Sequence, residues 1–406
     1  MPAQERVLSF EEARRVVEQH AARVRPPEME NIDLDASLGR VLAEVIVADR
    51  DVPAFPRAMR DGYALRAADL ASLPARLRVL GEIKAGGDPS PFPVSSGKAV
   101  SIMTGAPAPA GADAVVMVEH TTSDGDVVEV ARGVASGDNI VPAGAEARCD
   151  DQLLAPGTRI DEAVIAVAAS VGKARVEVYA RPRVAILSTG DELVSVEDSP
   201  GPSQIRNSNS HSLTAQVRKA GGEPVVLPIA PDERTRLRAL IEEGLRCDLL
   251  LLSGGVSVGR YDFVEQVLEE LGAEFFFTGA LIQPGRPVVF GRVGEKCFFG
   301  LPGNPVSTMV TFELFARPIL EALSGATPRP LRFLHAKLKN PVTRKPGLKR
   351  FLPATLSGEL ENAQVELTPW QGSGDLASTA RTNCYVVIAA DREEFAAAEW
   401  VPVLLR

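Results

Sequence analysis

The 406-residue sequence predicts a multidomain α/β and β protein built around one doubly wound, mainly parallel sheet. Three observations predict it. Between residues 184 and 323, apolar runs of strand length alternate with amphipathic helical stretches, the pattern of strands covered on both faces and joined by right-handed crossovers. From 52 to 144, short β-rich pieces are separated by Gly, Pro and Asp. After Pro328-Arg329-Pro330, helical periodicity gives way to short strands and turns. Against about 150 residues per domain, the length alone leads one to expect two to four domains.

In chain order, Ser9-Phe10-Glu11-Glu12 reads as a capping box opening a helix that runs to about Val24, where Pro26-Pro27 stops it. Residues 114–118 and 127–130 read as strands of a small β unit. Residues 163–171 are apolar and Ala-rich, 174–179 are strand-like, and Arg181-Pro182 marks a boundary near 180. Residues 184–189, 225–229 and 249–252 are the buried strands of the doubly wound unit. Between and after them, Leu237, Leu240, Ile241 and Leu245 make one helical stripe, and Phe263, Val267 and Leu271 make another. Gly294-Glu295, between 288–293 and 297–300, is a two-residue hairpin signal, so one antiparallel edge is expected on that sheet. Strands at 365–368 and 385–389 then indicate a small C-terminal barrel or sandwich.

Composition narrows the function. With 45% apolar and 24% charged residues the chain has globular character, which excludes disorder as its main state. A formal charge of −9 offers no global positive field for nucleic acid or an acidic membrane, so an anionic ligand must be held locally. No stretch approaches the roughly 18 apolar residues of a membrane span, and no leader pattern precedes the first helix. Cys149, Cys247, Cys297 and Cys384 lack C-x-x-C spacing, which fits a reducing compartment and a cytoplasmic location. His20, His120, His211 and His335 lack zinc-site spacing.

In an open parallel sheet, ligands bind outside the carboxyl ends of the strands, where helix N-termini and Gly-rich turns meet. Three turns qualify: Ser188-Thr189-Gly190-Asp191-Glu192, Ser253-Gly254-Gly255-Val256-Ser257-Val258-Gly259 and Leu301-Pro302-Gly303-Asn304-Pro305. Each leaves amides that could cradle a phosphate. The last also reads as an ordinary helix start, with Asn304 as N-cap and Pro305 at the first helical position. The middle one holds more Gly and Ser than a strand-to-helix bend requires, yet matches neither G-x-G-x-x-G nor a P-loop. Glu192, Asp232 and Asp262 fall on the same edge, and hard carboxylates beside phosphate-binding amides suggest Mg²⁺. Asp232 and Asp262 could equally cap the helices that follow them, a role Glu192 lacks. In the β-rich stretch, Met103-Thr104-Gly105-Ala106-Pro107-Ala108-Pro109 is a dense turn. Arg57 and Arg60, beside Asp61-Gly62, could clamp a tetrahedral oxyanion, with a solvated surface as the plain alternative.

Taken together, these segments resemble one family over essentially the whole chain, the molybdopterin molybdenumtransferases of the MoeA type, whose animal counterpart is the gephyrin E domain. The resemblance rests on Arg60-Asp61-Gly62-Tyr63-Ala64, Ile102-Met103-Thr104-Gly105-Ala106-Pro107, Gly111-Ala112-Asp113-Ala114-Val115-Val116, Ser188-Thr189-Gly190-Asp191-Glu192-Leu193, the Ser253–Gly259 turn, Pro284-Gly285-Arg286-Pro287 and Leu301-Pro302-Gly303-Asn304-Pro305-Val306-Ser307. The S-T-G-D-E-L stretch with a downstream Asn209 is similar to CinA-type proteins and MogA-type adenylyltransferases as well, and only the full order of motifs identifies this family.

The resemblance implies four domains: 1–51 with 145–180 as a linking domain, 52–144 as an inserted β-rich domain, 181–328 as a MogA/MoaB-like molybdopterin-binding domain, and 329–406 as a β-barrel. It implies a homodimer whose site lies between the doubly wound domain of one subunit and the β-rich domain of the other. It further implies Mg²⁺-dependent reaction of adenylylated molybdopterin with molybdate to give molybdenum cofactor and AMP, with a MogA-type adenylyltransferase and molybdoenzyme chaperones as partners. By motif position Glu192, Asp232 and Asp262 match the family's acids. Thr104, Ser188, Thr189, Gly190, Ser253, Gly254, Gly255, Ser257, Pro302, Gly303, Asn304, Pro305 and Ser378 match substrate-binding positions.

The chain departs from the family where an oxyanion would be held. Pro56 and Ala58 stand where an acid and a serine are usual, Gly279 and Gln283 replace two lysines, Arg286 replaces a third, and Glu146 replaces an Asp. Arg57, Arg60 and Arg286 are the candidate substitutes. Two functions follow: an active molybdenum-insertion enzyme with altered oxyanion ligands, or a molybdopterin-binding carrier or scaffold that has lost the insertion chemistry.

Overall fold

The computed structural model describes residues 6–26, 28–255 and 263–406. Helix α1 (Phe10–Ala21) begins with the expected capping box, Ser9 and Glu12 each bonding the other's backbone amide. It ends at Ala21, before Val24, as the chain tightens into i→i−3 bonds from the Arg23 amide to the His20 carbonyl and from the Val24 amide to the Ala21 carbonyl. Its buried stripe, Ala13, Val17 and Ala21, recurs every four residues and joins the core of the doubly wound unit, together with Phe276, Phe277 and Phe290. The preceding strand Val7–Leu8 pairs in parallel with Gly279–Ala280. Residues 7–21 therefore pack on the 181–328 stretch.

The linking core draws on two distant pieces of chain. Leu34, Leu42 and Ile46 meet Ile160, Val164, Ala168, Val176 and Val178. Helix α2 (Glu162–Ser170) starts where Asp161 accepts from the Ala163 and Val164 amides. Strand Arg175–Tyr179, read from the sequence, pairs antiparallel with Met29–Asp33.

The inserted unit is a six-stranded sheet ordered Ala114–Met117, Gly62–Leu65, Lys98–Ile102, Ala75–Ile83, Val127–Val130, Thr121–Asp124. The two-residue period sends neighbours to opposite faces: Ala64, Val100 and Val115 enter one apolar cluster, while Leu65, Ala99 and Val116 enter another. At Gly62 a Cβ would stand 1.9 Å from the Val116 carbonyl oxygen, so the Arg60-Asp61-Gly62-Tyr63 motif needs glycine for strand packing alone.

The third unit is doubly wound. Strands run across it in the order Glu223–Val226, Arg183–Ser188, Leu249–Ser253, Lys296–Leu301, Val289–Val293, Glu274–Phe277. The first four are parallel. Helices α3 (Asn209–Lys219), α4 (Arg234–Gly244) and α5 (Phe263–Glu270) connect the strands. Leu249–Ser253 is wholly buried, as its apolar run predicts, whereas Glu223–Val226 is an edge strand exposed at both ends. The expected hairpin forms, but the reversed strand Val289–Val293 lies one place inside the sheet, with Glu274–Phe277 paired outside it. Phe290 stacks on Phe299 across that hairpin at 4.5 Å between ring centroids. Helices α6 (Pro305–Thr311) and α7 (Arg317–Leu323) follow, joined by a π-helical turn at Phe312–Ala316.

Of the two C-terminal options, the barrel forms. Lys349–Ser357, Gln364–Leu367, Phe333–Leu338, Trp400–Leu405 and Cys384–Ile388 pair in that order, and the last returns to the first. Closure around Leu338, Leu352, Val365, Val386 and Val403 removes open edges. A short helix, α8 (Leu376–Ala380), interrupts the strands, and Ile282–Gln283 from the doubly wound unit adds in parallel to Lys349–Arg350.

Candidate active site at the strand ends

The parallel register sets Ser188 beside Ser253 and Ser253 beside Leu301, so the three turns meet at one edge. Backbone bonds stitch them: the Thr189 amide donates to the Ser253 carbonyl at 3.0 Å, and the Gly254 amide to the Leu301 carbonyl at 3.2 Å. Asn209, first residue of α3, donates through Nδ2 to Ser253 Oγ at 2.8 Å and to the Gly303 carbonyl at 2.7 Å. Ser188 Oγ donates to Asn207 Oδ1 at 3.2 Å. Two side-chain oxygens here are buried without a hydrogen-bond partner, Thr189 Oγ1 and Asn209 Oδ1. Burying such atoms unpaired costs about 1–3 kcal/mol each, which a ligand bearing N–H or O–H groups would recover.

Glycine is required where the turns approach. Gly254 has φ +91°, and a Cβ there would stand 2.6 Å from the Thr189 carbonyl oxygen. Gly190, at φ +140°, has the Glu192 carboxylate folded over the space a Cβ would fill. Gly255 is described and exposed, while Ser257 and Asp262 lie outside the described residues.

The acids group partly as expected. The Asp232 amide donates to Asp191 Oδ1 at 3.0 Å. Partial burial, followed by the neighbouring Asp191 and Glu192 charges, holds the Asp232 carboxyl above the usual aspartate range. The capping alternative fails for Asp232, since α4 starts after Glu233 with no side-chain cap. Among the described residues, no group of three or more His, Cys, Asp or Glu side chains is placed to hold a metal.

Asn304 does occupy the N-cap of α6, with Pro305 in the first turn, but its side chain makes no cap bond. Nδ2 donates instead to Ser373 Oγ of the barrel unit at 2.8 Å, and Thr308 Oγ1 bonds the Pro302 carbonyl at 2.5 Å. Ser378 is held by Asp375, which accepts from its amide at 3.0 Å and its hydroxyl at 2.7 Å.

In the β-rich unit, Thr104 donates to Asp61 Oδ1 from its amide at 2.7 Å and its hydroxyl at 2.8 Å, holding the Asp61 carboxyl below its usual range. Arg57 donates to Glu146 at 2.7 Å and keeps a buried Nε with no partner. Among the described residues, Arg60 and Arg286 are exposed and have no ion pair, and no hydrogen bond joins the three candidate arginines. The replaced lysine positions have structural employment. Gly279 pairs with Val7, and Gln283 accepts from the buried Arg350 at 2.7 Å.

Sequence reasoning missed Asn207, Ser373 and Arg350 as parts of this region, and gave Asn209 no role. The polar run Asn207-Ser208-Asn209-Ser210 at a helix start was the available signal for two of them. Ser373 and Arg350 are brought in only by tertiary contact.

Family comparisons agree with this geometry. The chain matches the MoeA N-terminal region (domain I and II) over residues 8–172, a probable molybdopterin binding domain over 185–322, and the MoeA C-terminal region (domain IV) over 335–405. It is 36% identical over 395 residues to a molybdopterin molybdenumtransferase of Bacillus subtilis, covering 93% of this chain and 90% of that protein. A Nostoc molybdopterin molybdenumtransferase is 38% identical over 306 residues, or 73% of this chain and 70% of the relative. The crystal structure of a molybdopterin biosynthesis MoeA protein from Pyrococcus horikoshii superposes with a TM-score of 0.81 at 31% identity, covering 98% of this chain and all of that one.

Proposed function

Because the chain belongs to the MoeA family of molybdopterin molybdenumtransferases, which act in molybdenum cofactor biosynthesis, we propose that it joins molybdate to adenylylated molybdopterin and releases AMP. The carrying observation is the pair of buried, unpartnered oxygens, Thr189 Oγ1 and Asn209 Oδ1, where the three turns meet. The two orphan acceptors take N–H or O–H groups of the pterin, and the phosphate lies along the turns at the strand ends. Glu192 and Asp232 offer hard oxygens of the kind Mg²⁺ takes, and partial burial followed by the Asp191 and Glu192 charges holds the Asp232 carboxyl above its usual range, a cost that a cation would relieve. Glu192 and Asp232, with Asp262, would hold the ion, which when bound supplies neutralising charge for the phosphate oxygens. Ser188 and Asn207 orient the first turn, and Asn304 with Ser373 fixes the third against the barrel. Among the described residues, no helix is long and apolar enough to cross a membrane. AMP release from adenylylated molybdopterin, followed with and without molybdate, tests the reading. Release indifferent to molybdate would overturn it.

One observation favours the second reading, a molybdopterin carrier: Gly279 and Gln283 are engaged by Val7 and Arg350 instead of presenting lysines. In that case the pterin binds but AMP is not released.

The cleft is completed by the β-rich unit of a second copy, bringing Thr104, Arg57 and Arg60 toward the partner's strand ends. Light scattering at micromolar concentration is then expected to give about twice 43.2 kDa. A fully active monomer would exclude the shared site.

Arg57, Arg60 and Arg286 take the oxyanion's charge. Each lost charge-assisted hydrogen bond costs about 1.5–3 kcal/mol, or roughly ten- to more than a hundredfold in affinity. Calorimetry on pterin-loaded protein should find molybdate binding weakened by that factor in Arg57→Ala or Arg286→Ala, with the pterin retained. Binding indifferent to all three arginines would refute their role.

A further inference from the structure

We propose that a cleft at the junction of the linking, doubly wound and barrel units is a binding site for a diphosphate group. The cavity measures about 260 Å³ and is lined by cations contributed from all three units. Two of these are already neutralised: Arg14 pairs with Glu18 at 2.9 Å, and Arg317 pairs with Glu313 and, at 2.9 Å, with Glu321. Glu321 is the one carboxylate among the described lining residues, so its charge is spent on Arg317.

Arg159, Lys219, Arg329 and Arg332 are left without a carboxylate among the described residues. Arg159 donates only to the Gly39 and Ala220 carbonyls, at 3.1 and 3.4 Å. Burial holds its guanidinium below the ordinary arginine value, and Arg329 and Arg317 push it the same way against Glu321. Arg406 also lines the cleft but turns its guanidinium to the Thr379 and Thr382 carbonyls. Such a concentration of unpaired cations, in a chain whose formal charge is −9, points to a multiply charged anion. Guanidinium forks match phosphate oxygens two at a time, so three free arginines and a lysine exceed what one phosphate can use and suit two linked ones.

The cleft is separate from the strand-end site. Asn209 opens α3 and Lys219 closes it, which puts the two sites at opposite ends of that helix, roughly 15 Å apart along its axis. A bound diphosphate would tie Arg159 of the linking unit to Arg329 and Arg332 of the connector to the barrel, fixing the angle between units.

Calorimetry on the full chain at low ionic strength, with pyrophosphate, ADP and orthophosphate as probes, tests this. Pyrophosphate or ADP is expected to bind more tightly than orthophosphate, and Arg329→Gln with Arg332→Gln, both exposed and removable without disturbing a core, should weaken it at least about tenfold. Asn209→Ala should leave that binding intact. Equal dependence of ADP on the two arginines would identify a nucleotide as the source of the diphosphate, and binding of pyrophosphate alone would identify the free anion. Absence of binding overturns the proposal, as does binding that survives the double substitution and vanishes in Asn209→Ala.

Discussion

Asp232→Asn is expected to lower turnover by about 10²–10³-fold while raising the melting temperature of the ligand-free protein. Both effects come from one electrostatic fact. Partial burial, Asp191 and Glu192 raise the Asp232 pKa, so the fold disfavours its charged form. A raised folded pKa favours folding at pH below the unfolded aspartate value of about 3.9, and that contribution is lost as pH rises through the folded value. At neutral pH the native protein therefore carries an unrelieved repulsion that the neutral amide lacks. The variant's melting advantage should shrink as pH falls toward the unfolded value. Mg²⁺ should raise the melting temperature of the native protein more than that of the variant. Loss of a ligand that stabilises phosphate charge removes several kcal/mol at the transition state, which sets the turnover estimate. Calorimetric melts with and without Mg²⁺, run beside AMP release, decide the matter: unchanged Mg²⁺ dependence and turnover would make Asp232 a bystander.

What the sequence made legible was local. Each strand-end turn announces itself by an apolar run followed by Gly with Ser, Asp or Asn, and the parallel register then brings Ser188, Ser253 and Leu301 together without further information. The capping box of α1 and the Gly294-Glu295 hairpin are equally local, and both form. What α1 packs against was not legible, because the stripe of Ala13, Val17 and Ala21 says only that a face is buried. The hairpin likewise fixes the direction of Val289–Val293 but not that Glu274–Phe277 would add outside it. At the site, Asn209 reaches Ser253 and Gly303 across 44 and 94 residues, and Arg350 meets Gln283 across 67. Such contacts leave no periodicity behind. The helix-start reading of Asn304 and Pro305 was correct for the backbone and incomplete for the side chain, which crosses to Ser373.

Gly254→Ala should both destabilise the doubly wound unit and abolish most activity. The residue sits at φ +91°, where an L side chain is strained by about 1–3 kcal/mol. Its Cβ would also meet the Thr189 carbonyl oxygen at 2.6 Å, and that oxygen belongs to backbone fixed by the Thr189 amide's bond to Ser253. A rotamer change cannot relieve the clash, so overpacking adds about 1–3 kcal/mol. Together these reach about 2–6 kcal/mol, a large share of a typical domain stability of about 5–15 kcal/mol. Relief by backbone movement would separate the Thr189 and Gly254 turns and carry Thr189 Oγ1 away from its place beside Asn209 Oδ1, so turnover should fall even at temperatures where the variant remains folded. Gly272→Ala supplies the comparison, since Gly272 has φ +78° with nothing within 4 Å of its added Cβ and isolates the backbone strain from the collision. Urea melts should give a clearly larger loss for Gly254→Ala than for Gly272→Ala, and only the former should lose pterin binding. Equal melts, or native binding in Gly254→Ala, would mean that the close approach of the two turns is dispensable.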